Sequence, residues 1–311
     1  MKLKTFFTFI LGFILLVSCS NDSQHKYQIQ GNALGTTYNV YYYSKKKQNL
    51  KPKFDSIFNV INQSLSTYIP ESDISKLNNG VSVKIDEHFK NVFQLSKTIY
   101  YNTDGYFDPS IGIMVNAYGF GPKKYNLEMT KKTVDSLMTF VGFDHFTLNK
   151  NQIQTDLRSF YLDFNAIAKG YAVDVLADYL TEIDIQNFFV EIGGEIVAKG
   201  RDIENDKIWN FGIETPSEKN INRDLSYAIT IQDKALATSG NYRKFKIDSA
   251  TGQKFVHTIN PKTGLSKKSD VLSASVVAET CAVADAYATA FMAMGFEKAK
   301  TTIENQKINA L

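Results

Sequence analysis

The second half of the chain constrains the fold most, because turn signals separate its strand-like stretches. Two polar, glycine-containing stretches, residues 249–252 and 261–264, are typical of hairpin turns. Hairpins join antiparallel neighbours, so this half favours an antiparallel sheet. The strands predicted here cover residues 208–213, 226–231, 242–247, 254–259 and 272–278.

The first half adds helices to this pattern. Apolar residues recur at helical spacing in residues 54–65 and 89–99. A third helix is predicted from an N-cap at Thr130 to a stop at Gly142. Further helices are predicted at 166–180 and, as the last of the chain, at 281–294, with strands at 38–43 and 188–192. Helices segregated from antiparallel strands indicate an α+β fold rather than a doubly wound parallel sheet.

The first residues have the form of an export signal. Lys2 and Lys4 supply positive charge, and residues 5–17 are apolar but too short to span a bilayer. The following Ser18-Cys19 completes the pattern of a bacterial lipoprotein cleavage site, in which the cysteine thiol receives the lipid. An ordinary secretory signal with an incidental cysteine is the alternative. We predict a signal peptide over 1–18, a polar tether over 19–26 and one domain over 27–311.

This prediction places the protein outside the cytoplasm. We expect it to be anchored by the lipid on Cys19 to a bacterial membrane, facing the periplasm or the cell exterior. No second apolar stretch reaches membrane-spanning length, so the rest of the chain is expected to be soluble.

Charge, cysteine content and missing motifs exclude several classes of protein. Without Lys2 and Lys4 the chain keeps 33 basic and 32 acidic residues, about +1, which provides no basic surface for nucleic acid. Cys281 is the one cysteine left after lipidation, so no internal disulfide is predicted. The sequence has no GxxxxGK(S/T), HExxH or GxSxG motif and no GxGxxG after a strand, and its four histidines lack zinc-ligand spacing.

Polar blocks that contain glycine remain, and backbones approach ligands at such places. A turn or a helix cap explains most of them singly, but their joint occurrence and order indicate a function. The blocks cover residues 34–37, 66–68 with Ser72 and Asn78, 105–109, 118–121, 163–170, 191–195, 237–242, 257–264 and 284–289.

Taken in order from Leu34 to Gly295, these blocks resemble the FAD:protein FMN transferase family, the ApbE-type flavin transferases. The most specific pieces are DFNAIAKGYAVD, TSGNY, HTINPKTG and ADAYATAF. The resemblance implies a two-lobed α+β fold with mostly antiparallel sheets and packed helices. It also implies a Mg²⁺-dependent enzyme that cleaves FAD, releases AMP and attaches FMN by a phosphoester to a threonine of a target protein.

Asp285 and Thr289 lie at i and i+4 and therefore share one face of the predicted last helix. A carboxylate and a hydroxyl are two hard oxygen ligands that suit Mg²⁺. The alternative is that Thr289 bonds its own i−4 carbonyl and Asp285 faces solvent. The resemblance favours the metal site and adds the main-chain carbonyl of Ala166 as a third ligand.

Lys169 and His257 are the other predicted catalytic residues. Lys169 lies just inside a helix start, where its ammonium and the helix N–H groups can meet a pyrophosphate, although an exposed lysine is the commoner case. His257 is the candidate general base because imidazole accepts a hydroxyl proton near neutral pH, although a lone histidine is about as often structural. Asp163 precedes the helix and is expected either to cap it or to line the phosphate region.

The resemblance implies further FAD-binding positions. Tyr68, Tyr118 and Phe120 offer rings for stacking on adenine or isoalloxazine, although aromatic residues are more often core residues. The complete predicted set is Leu34, Tyr68, Asp108, Tyr118, Phe120, Asp163, Lys169, Glu195, Ser239 and His257. The chain departs from the family at Leu34, where methionine is common, at Tyr118, where tryptophan is common, and at Asn260, where aspartate is common.

Two alternative functions remain open. In the first, water replaces the acceptor and the chain is an FAD pyrophosphatase that yields FMN and AMP. In the second, the chain is a lipoprotein that binds flavin without turnover. If transfer is the function, the resemblance implies a threonine-bearing, membrane-associated electron-transfer protein as acceptor. Family chains tend to continue with more strand after the final helix, so the C-terminus at Leu311 is expected to be short or clipped.

Overall fold

The structure is a computed structural model that describes residues 23–125, 127–216, 224–241, 245–247, 254–266 and 269–311. The predicted signal peptide and Cys19 lie outside these residues, as does Tyr242, the first residue of a predicted strand. Throughout the described ranges, every helix is too short or too polar to cross a bilayer.

Eight helices are present in the described ranges, together with the 3-10 turns Pro109–Ile111 and Phe143–His145. The helices are α1 Lys51–Leu65, α2 Asp73–Asn78, α3 Glu87–Asn102, α4 Gly112–Ala117, α5 Lys131–Met138, α6 Ala168–Glu182, α7 Cys281–Met294 and α8 Phe296–Gln306. The five predicted helices are present as α1, α3, α5, α6 and α7, and α5 is shorter than predicted because it ends at Met138 rather than at Gly142. Thr130 caps α5, as predicted, by accepting a hydrogen bond from the Thr133 amide.

Most strands belong to one antiparallel sheet of seven strands, in the order β1-β2-β5-β6-β9-β12-β13. Three further antiparallel pairs are β3–β4, β7–β8 and β10–β11. The strands are β1 His25–Ala33, β2 Thr36–Ser44, β3 Phe146–Asn149, β4 Gln152–Thr155, β5 Phe188–Ile192, β6 Glu195–Lys199, β7 Trp209–Glu214, β8 Leu225–Ile231, β9 Lys234–Gly240, β10 Phe245–Ile247, β11 Lys254–Val256, β12 Ser273–Ala278 and β13 Asn309–Ala310. The predicted mixture of helices and antiparallel sheet is therefore confirmed.

The main hydrophobic core contains side chains from this sheet and from α1, α3, α6 and α7. Helical periodicity identified the inward face of α3 correctly, because the apolar residues at its i, i+3 and i+4 positions, from Phe89 to Ile99, are buried. Helix α7 differs, since alanine-rich sequence buries it on nearly every side. A charged side chain on such a helix lies in the protein interior, and this is the situation of Asp285.

A second, smaller core surrounds Tyr118. It contains Ile113, Met114, Val134, Tyr161 and Ile259 as buried neighbours, contributed by α4, α5 and the segments before α6 and after β11. This core contains Tyr118 and Phe120, two of the three predicted aromatic positions, whereas the predicted metal ligands Asp285 and Thr289 lie on α7, which packs in the main core.

Three details of the prediction were wrong. Helix α7 is not the last helix, because Gly295 at φ 77° turns the chain and Asp270 Oδ1 caps α8 by accepting from the Phe296 amide at 2.9 Å. The turn at 261–264 is not a hairpin between two strands. It closes locally, with the Asn260 amide donating to the Leu265 carbonyl, while β11 pairs with β10 and β12 pairs with β9 and β13.

The third difference concerns the start of the domain. Strand β1 begins at His25, which pairs with Ser44, so the last two residues of the predicted tether belong to the sheet. The strand escaped prediction because its side chains are mostly polar and partly exposed, as expected of an edge strand. The β1–β2 hairpin turns at Leu34-Gly35, both with positive φ, which is the geometry of a two-residue hairpin loop.

Candidate active site

One end of the seven-stranded sheet collects three of the polar blocks. The pairing of β2 with β5 places Tyr38 opposite Ile192, and the β5–β6 hairpin places Ile192 opposite Glu195. The turn at Leu34 therefore lies at the same sheet end as Glu195. Strand β9 pairs with β6 so that Ser239 also falls at this end. Leu34 borders an open cavity of about 570 Å³ formed by residues 32–37 and Asn62.

The first turn of α6 packs directly against the first turn of α7. A Cβ atom at Gly170 would lie 2.4 Å from the Cys281 carbonyl oxygen, so only glycine permits this approach. The Gly170 amide donates to Asp285 Oδ2 at 3.1 Å. This contact joins the AIAKG block of α6 to the ADAYAT block of α7, which are more than 100 residues apart in the sequence.

Lys169 joins the same cluster from the start of α6. Its ammonium forms an ion pair with Glu195 and lies 4.0 Å from Asp285 Oδ2. Glu195 and Asp285 are both only 3% exposed. Burial lowers the pKa of Lys169, but the carboxylates of Asp285 and Glu195 outweigh burial, so the pKa is raised and the ammonium stays charged.

Two carboxylates face one ammonium here, and the excess negative charge is buried. Burial raises the pKa of Glu195 to about 7, although the Lys169 ammonium opposes this and the Asp285 charge adds to it. Glu195 Oε2 is buried and has no hydrogen-bond partner among the described residues. A cation bound nearby would compensate both the excess charge and the unpaired oxygen.

The predicted metal ligands fit a hard divalent cation. Because the Gly170 amide donates to Asp285, it does not donate to the Ala166 carbonyl, and the α6 ladder begins with the Tyr171 amide bonded to the Ile167 carbonyl. That leaves the Ala166 oxygen outside the helix ladder. Thr289 lies one turn after Asp285 on α7, and its Oγ1 is 3.3 Å from Ser239 Oγ. The alternative in which Asp285 faces solvent is wrong.

Carboxylate, hydroxyl and carbonyl oxygens form the type of donor set that Mg²⁺ prefers. In the described part of the chain, no group of three His, Cys, Asp or Glu side chains is arranged to hold a metal ion. The predicted site thus depends on one carboxylate supplemented by uncharged oxygens. We call Lys169, Glu195, Ser239, Asp285 and Thr289 the charged half of the site.

A second group, which we call the aromatic half, consists of Tyr118, Phe120, Phe255 and His257. His257 directly follows β11 and is partly buried, as predicted for a residue at a strand end. Its neighbour Phe255 packs on Tyr118 with ring centroids 5.2 Å apart. Phe120 is partly exposed, and the Lys246 ammonium lies 5.2 Å from its ring centroid.

Tyr118 is more enclosed than a stacking surface requires. It is only 8% exposed, and its hydroxyl donates to the Gly264 carbonyl at 3.1 Å, so it braces the 260–264 turn. Burial raises its pKa. Tyr118 thus has a packing role in the structure, while its contact with FAD stays a prediction.

Asn260 connects the two halves. Its Nδ2 donates to the Ala293 carbonyl at the end of α7, at 3.1 Å, and its Oδ1 accepts from the Lys262 amide at 2.8 Å. The family's common aspartate lacks the N–H needed for the first bond. The asparagine therefore anchors the turn after His257 on the helix that carries Asp285 and Thr289.

Three other predicted positions lie around the segment before α6. Asp163 Oδ1 accepts from the Asn165 amide at 2.8 Å, so it caps a turn rather than α6 itself, and burial raises its pKa. Tyr68 is 60% exposed, and burial together with the nearby Asp163 carboxylate raises its pKa. Asp108 is buried and caps a 3-10 turn by accepting from the amide and hydroxyl of Ser110. Ligand contacts of these residues stay predictions.

Two asparagines with notable polar side-chain environments were not among the predicted site residues. Asn78 bonds both the amide and the carbonyl of Leu162, which braces the chain ahead of Asp163. Asn241 directly follows β9, and both of its polar side-chain atoms are buried without a partner in the part of the chain that the structure describes. Both lie in polar blocks of the sequence, but neither residue type carries a chemical signature that would single it out.

The fold and this site define a class: a mixed helix and antiparallel-sheet protein whose buried lysine–carboxylate cluster and oxygen ligands suit a pyrophosphate with a divalent cation. Residues 34–311 match the model of the ApbE family, and the chain belongs to that family. It is 32% identical to a FAD:protein FMN transferase of Vibrio cholerae, over 97% of this chain and 91% of that protein. The corresponding protein of Haemophilus influenzae is 31% identical, over 94% and 87%.

Solved structures agree with the sequence comparison. The flavin transferase ApbE from Vibrio cholerae superposes with a TM-score of 0.82 at 31% identity and covers 93% of each chain. The apo form of the flavinyl transferase ApbE from Pseudomonas stutzeri superposes with a TM-score of 0.81 at 26% identity.

Proposed function

We propose that this chain transfers FMN from FAD to a protein acceptor and releases AMP. The observation that carries the proposal is the charged half: a partly exposed Lys169 beside two buried carboxylates and the oxygen ligands on α7, in a chain whose relatives are named FAD:protein FMN transferase. This arrangement suits a substrate that contains a pyrophosphate, which is the group cleaved when FAD yields FMN and AMP.

Asp285, Thr289 and the Ala166 carbonyl would hold Mg²⁺. When bound, the ion neutralises pyrophosphate charge and stabilises AMP as the leaving group. The Lys169 ammonium adds a positive charge beside the oxygens of the pyrophosphate, and its ion pair with Glu195 holds the ammonium in position. The Gly170 amide orients the Asp285 carboxylate by donating to Oδ2.

The acceptor in this proposal is a threonine hydroxyl. Its oxygen attacks the phosphorus of the FMN half, the bond from that phosphorus to the bridging pyrophosphate oxygen breaks, and AMP leaves with the bridging oxygen. His257 takes the hydroxyl proton as general base. Leu34, at the open cavity of the sheet end, and the partly exposed Tyr68 and Phe120 are proposed to contact the nucleotide and flavin rings.

We also propose that the lipid on Cys19 holds the enzyme at a membrane outside the cytoplasm. Five residues separate Cys19 from the first residue of β1, so the domain would stay close to the membrane surface. A membrane-associated electron-transfer protein with an accessible threonine is the acceptor that this position favours.

The test is to incubate the mature chain with FAD, Mg²⁺ and a threonine-bearing acceptor, and to measure the acceptor mass and the AMP released. The expected result is a mass gain of one FMN per acceptor and an equal amount of AMP. Threonine-to-alanine substitution in the acceptor should abolish the gain. Free FMN formed at the same rate without an acceptor would instead identify a pyrophosphatase, and FAD retained intact would identify a flavin-binding protein.

A further inference from the structure

Helices α6 and α7, like α1, α4 and α8, lack a cap hydrogen bond from their own N-cap side chains. The residue that precedes each first turn, Ile167 for α6 and Thr280 for α7, makes no side-chain cap hydrogen bond. The first amides of a helix have no partner inside that helix, so buried N-termini need acceptors from elsewhere. The first turn of α7 is mostly buried, and in the first turn of α6 Gly170 is buried where the two helices meet.

Each of these helices supplies the acceptor for the other. Asp174, in the second turn of α6, accepts from the Cys281 amide through Oδ1 at 2.7 Å and from the Ala282 amide through Oδ2 at 2.8 Å. In the opposite direction, Asp285 of α7 accepts from the Gly170 amide at 3.1 Å. The two carboxylates therefore form a reciprocal pair of caps, which we call the carboxylate clamp.

The clamp fixes how α7 lies against α6. Bidentate bonding by Asp174 fixes the direction as well as the position of the first turn of α7, because both carboxylate oxygens are engaged. The contact at Gly170 leaves no space between the two backbones. Asp285 lies less than one helical turn beyond Ala282, so any shift of the α7 start moves the predicted metal ligand as well.

We propose that Asp174 is a positioning residue for the metal site, which sets Asp285 against the start of α6 without touching metal or substrate. The inference rests on the proposed function in one respect, namely that Mg²⁺ binds at Asp285. Asp174 bonds the main chain of α7, and the side chain of Asp285 bonds the main chain of α6. The clamp therefore holds the predicted ligands of α7 next to the segment before α6 that contains Ala166.

Stability alone is a weak reason for a carboxylate at this place. Burial raises the pKa of Asp174 to about 7, although the Cys281 and Ala282 amides oppose this, so keeping the group ionised at neutral pH costs free energy. Thr280, at the N-cap of α7, has the residue type that can satisfy one amide without that cost, but its side chain makes no cap hydrogen bond. The carboxylate differs in that it reaches across from α6 and bonds two amides at once.

The test compares Asp174→Asn and Asp174→Ala with the matched control Asp178→Asn, an exposed aspartate one turn further along α6. Mg²⁺ binding to the full mature chain is measured by titration calorimetry, well below the thermal midpoint of every variant, together with Tm in the absence of metal. Loss of an outer-sphere partner weakens metal binding by about 10–100-fold, and we expect Asp174→Asn to weaken it by at least tenfold. Asp178→Asn should stay within twofold of the wild-type chain.

Asp174→Asn keeps one acceptor oxygen, so it provides the result if Asp174→Ala does not fold. A lower Tm with unchanged Mg²⁺ affinity would show that Asp174 only stabilises the fold, and would overturn the inference while leaving the proposed function intact. If the wild-type chain itself binds no Mg²⁺, the metal role in the proposed function fails, and the inference fails with it.

Discussion

The charged half and the aromatic half of the site are built in different ways. The charged half stands on long elements of the main core, where buried carboxylates, an ammonium and helix amides bond one another. The aromatic half stands on a short strand pair and the 260–264 turn, around the smaller core of Tyr118. Asn260 is a hydrogen-bonded link between them. Metal binding and proton transfer should therefore be separable by mutation.

The largest effect is expected in the charged half from Asp285→Ala. The change removes the one carboxylate of the predicted metal site, and metal stabilisation of several kcal/mol corresponds to a loss of transfer on the order of 10³-fold. Acceptor mass gain and calorimetric Mg²⁺ binding measure it. Asp285→Asn is the control, because it keeps an acceptor for the Gly170 amide but removes the charge. Transfer at the wild-type rate in either variant would show that Asp285 is not part of the active site.

In the aromatic half, His257→Ala should slow transfer on the order of 10²-fold, because a general base contributes at least that much. Mg²⁺ affinity should not change, since the charged half stays intact. Single-turnover AMP release and calorimetry report the two properties separately, and His145→Ala is a control at an exposed histidine bonded to Asp156. A parallel loss of Mg²⁺ binding would contradict the separation of the two halves.

The link between the halves is tested by Asn260→Asp. Aspartate cannot donate to the Ala293 carbonyl, and its charge is unfavourable beside a helix C-terminus. Loss of a partly buried hydrogen bond costs about 1–2 kcal/mol, which urea unfolding would detect as a lower midpoint. Asn260→Ala separates the lost bond from the added charge. An unfolding free energy equal to that of the wild-type chain would show that Asn260 does not join the halves.

The smallest effect concerns Asp108, a buried cap near the aromatic half. Burial raises its pKa from 3.8 to about 6, although bonds from Ser110 oppose this. The folded protein therefore holds a proton that the unfolded chain has lost between pH 4 and pH 6. The stability from this group is present below about pH 4 and is lost as pH rises through 6. Asp108→Asn should make stability less dependent on pH in this window.

Urea unfolding at intervals from pH 4 to pH 7 measures that dependence. Asp184→Asn, at an exposed carboxylate that accepts from Gln186, is the control and should leave the slope unchanged. An identical slope for Asp108→Asn and the wild-type chain would show that the Asp108 carboxyl titrates alike in the folded and unfolded states.

The sequence predicted the elements with strong periodicity. Helices α1 and α3 were found because their apolar faces repeat at 3.6 residues, and β5 because Phe188, Val190 and Ile192 alternate. Strands β6 and β9 were missed because Glu195 and the polar end of β9 interrupt the apolar pattern. These polar residues are there because they belong to the candidate site. Helix α8 was missed because Gly295 stops one helix and starts the next.

The candidate site also contains features that could be predicted from the sequence and features that could not. The family resemblance, rather than residue type alone, selected Lys169, Asp285 and Thr289, because a solvent-facing aspartate or lysine would have explained each residue taken singly. Their meeting was not predictable from spacing, because Lys169 and Glu195 lie on different elements and pair only after β6 and α6 have packed.

What the sequence alone determined is therefore local: the period of each helix and strand, the glycine at position 170 and the chemical groups in each block. The tertiary structure decided which groups face one another. The Asp174 caps, the ion pair of Lys169 with Glu195 and the link from Asn260 to Ala293 each join residues distant along the chain. Such contacts depend on how helices pack across the core, where burial changes the energy of every charge and hydrogen bond.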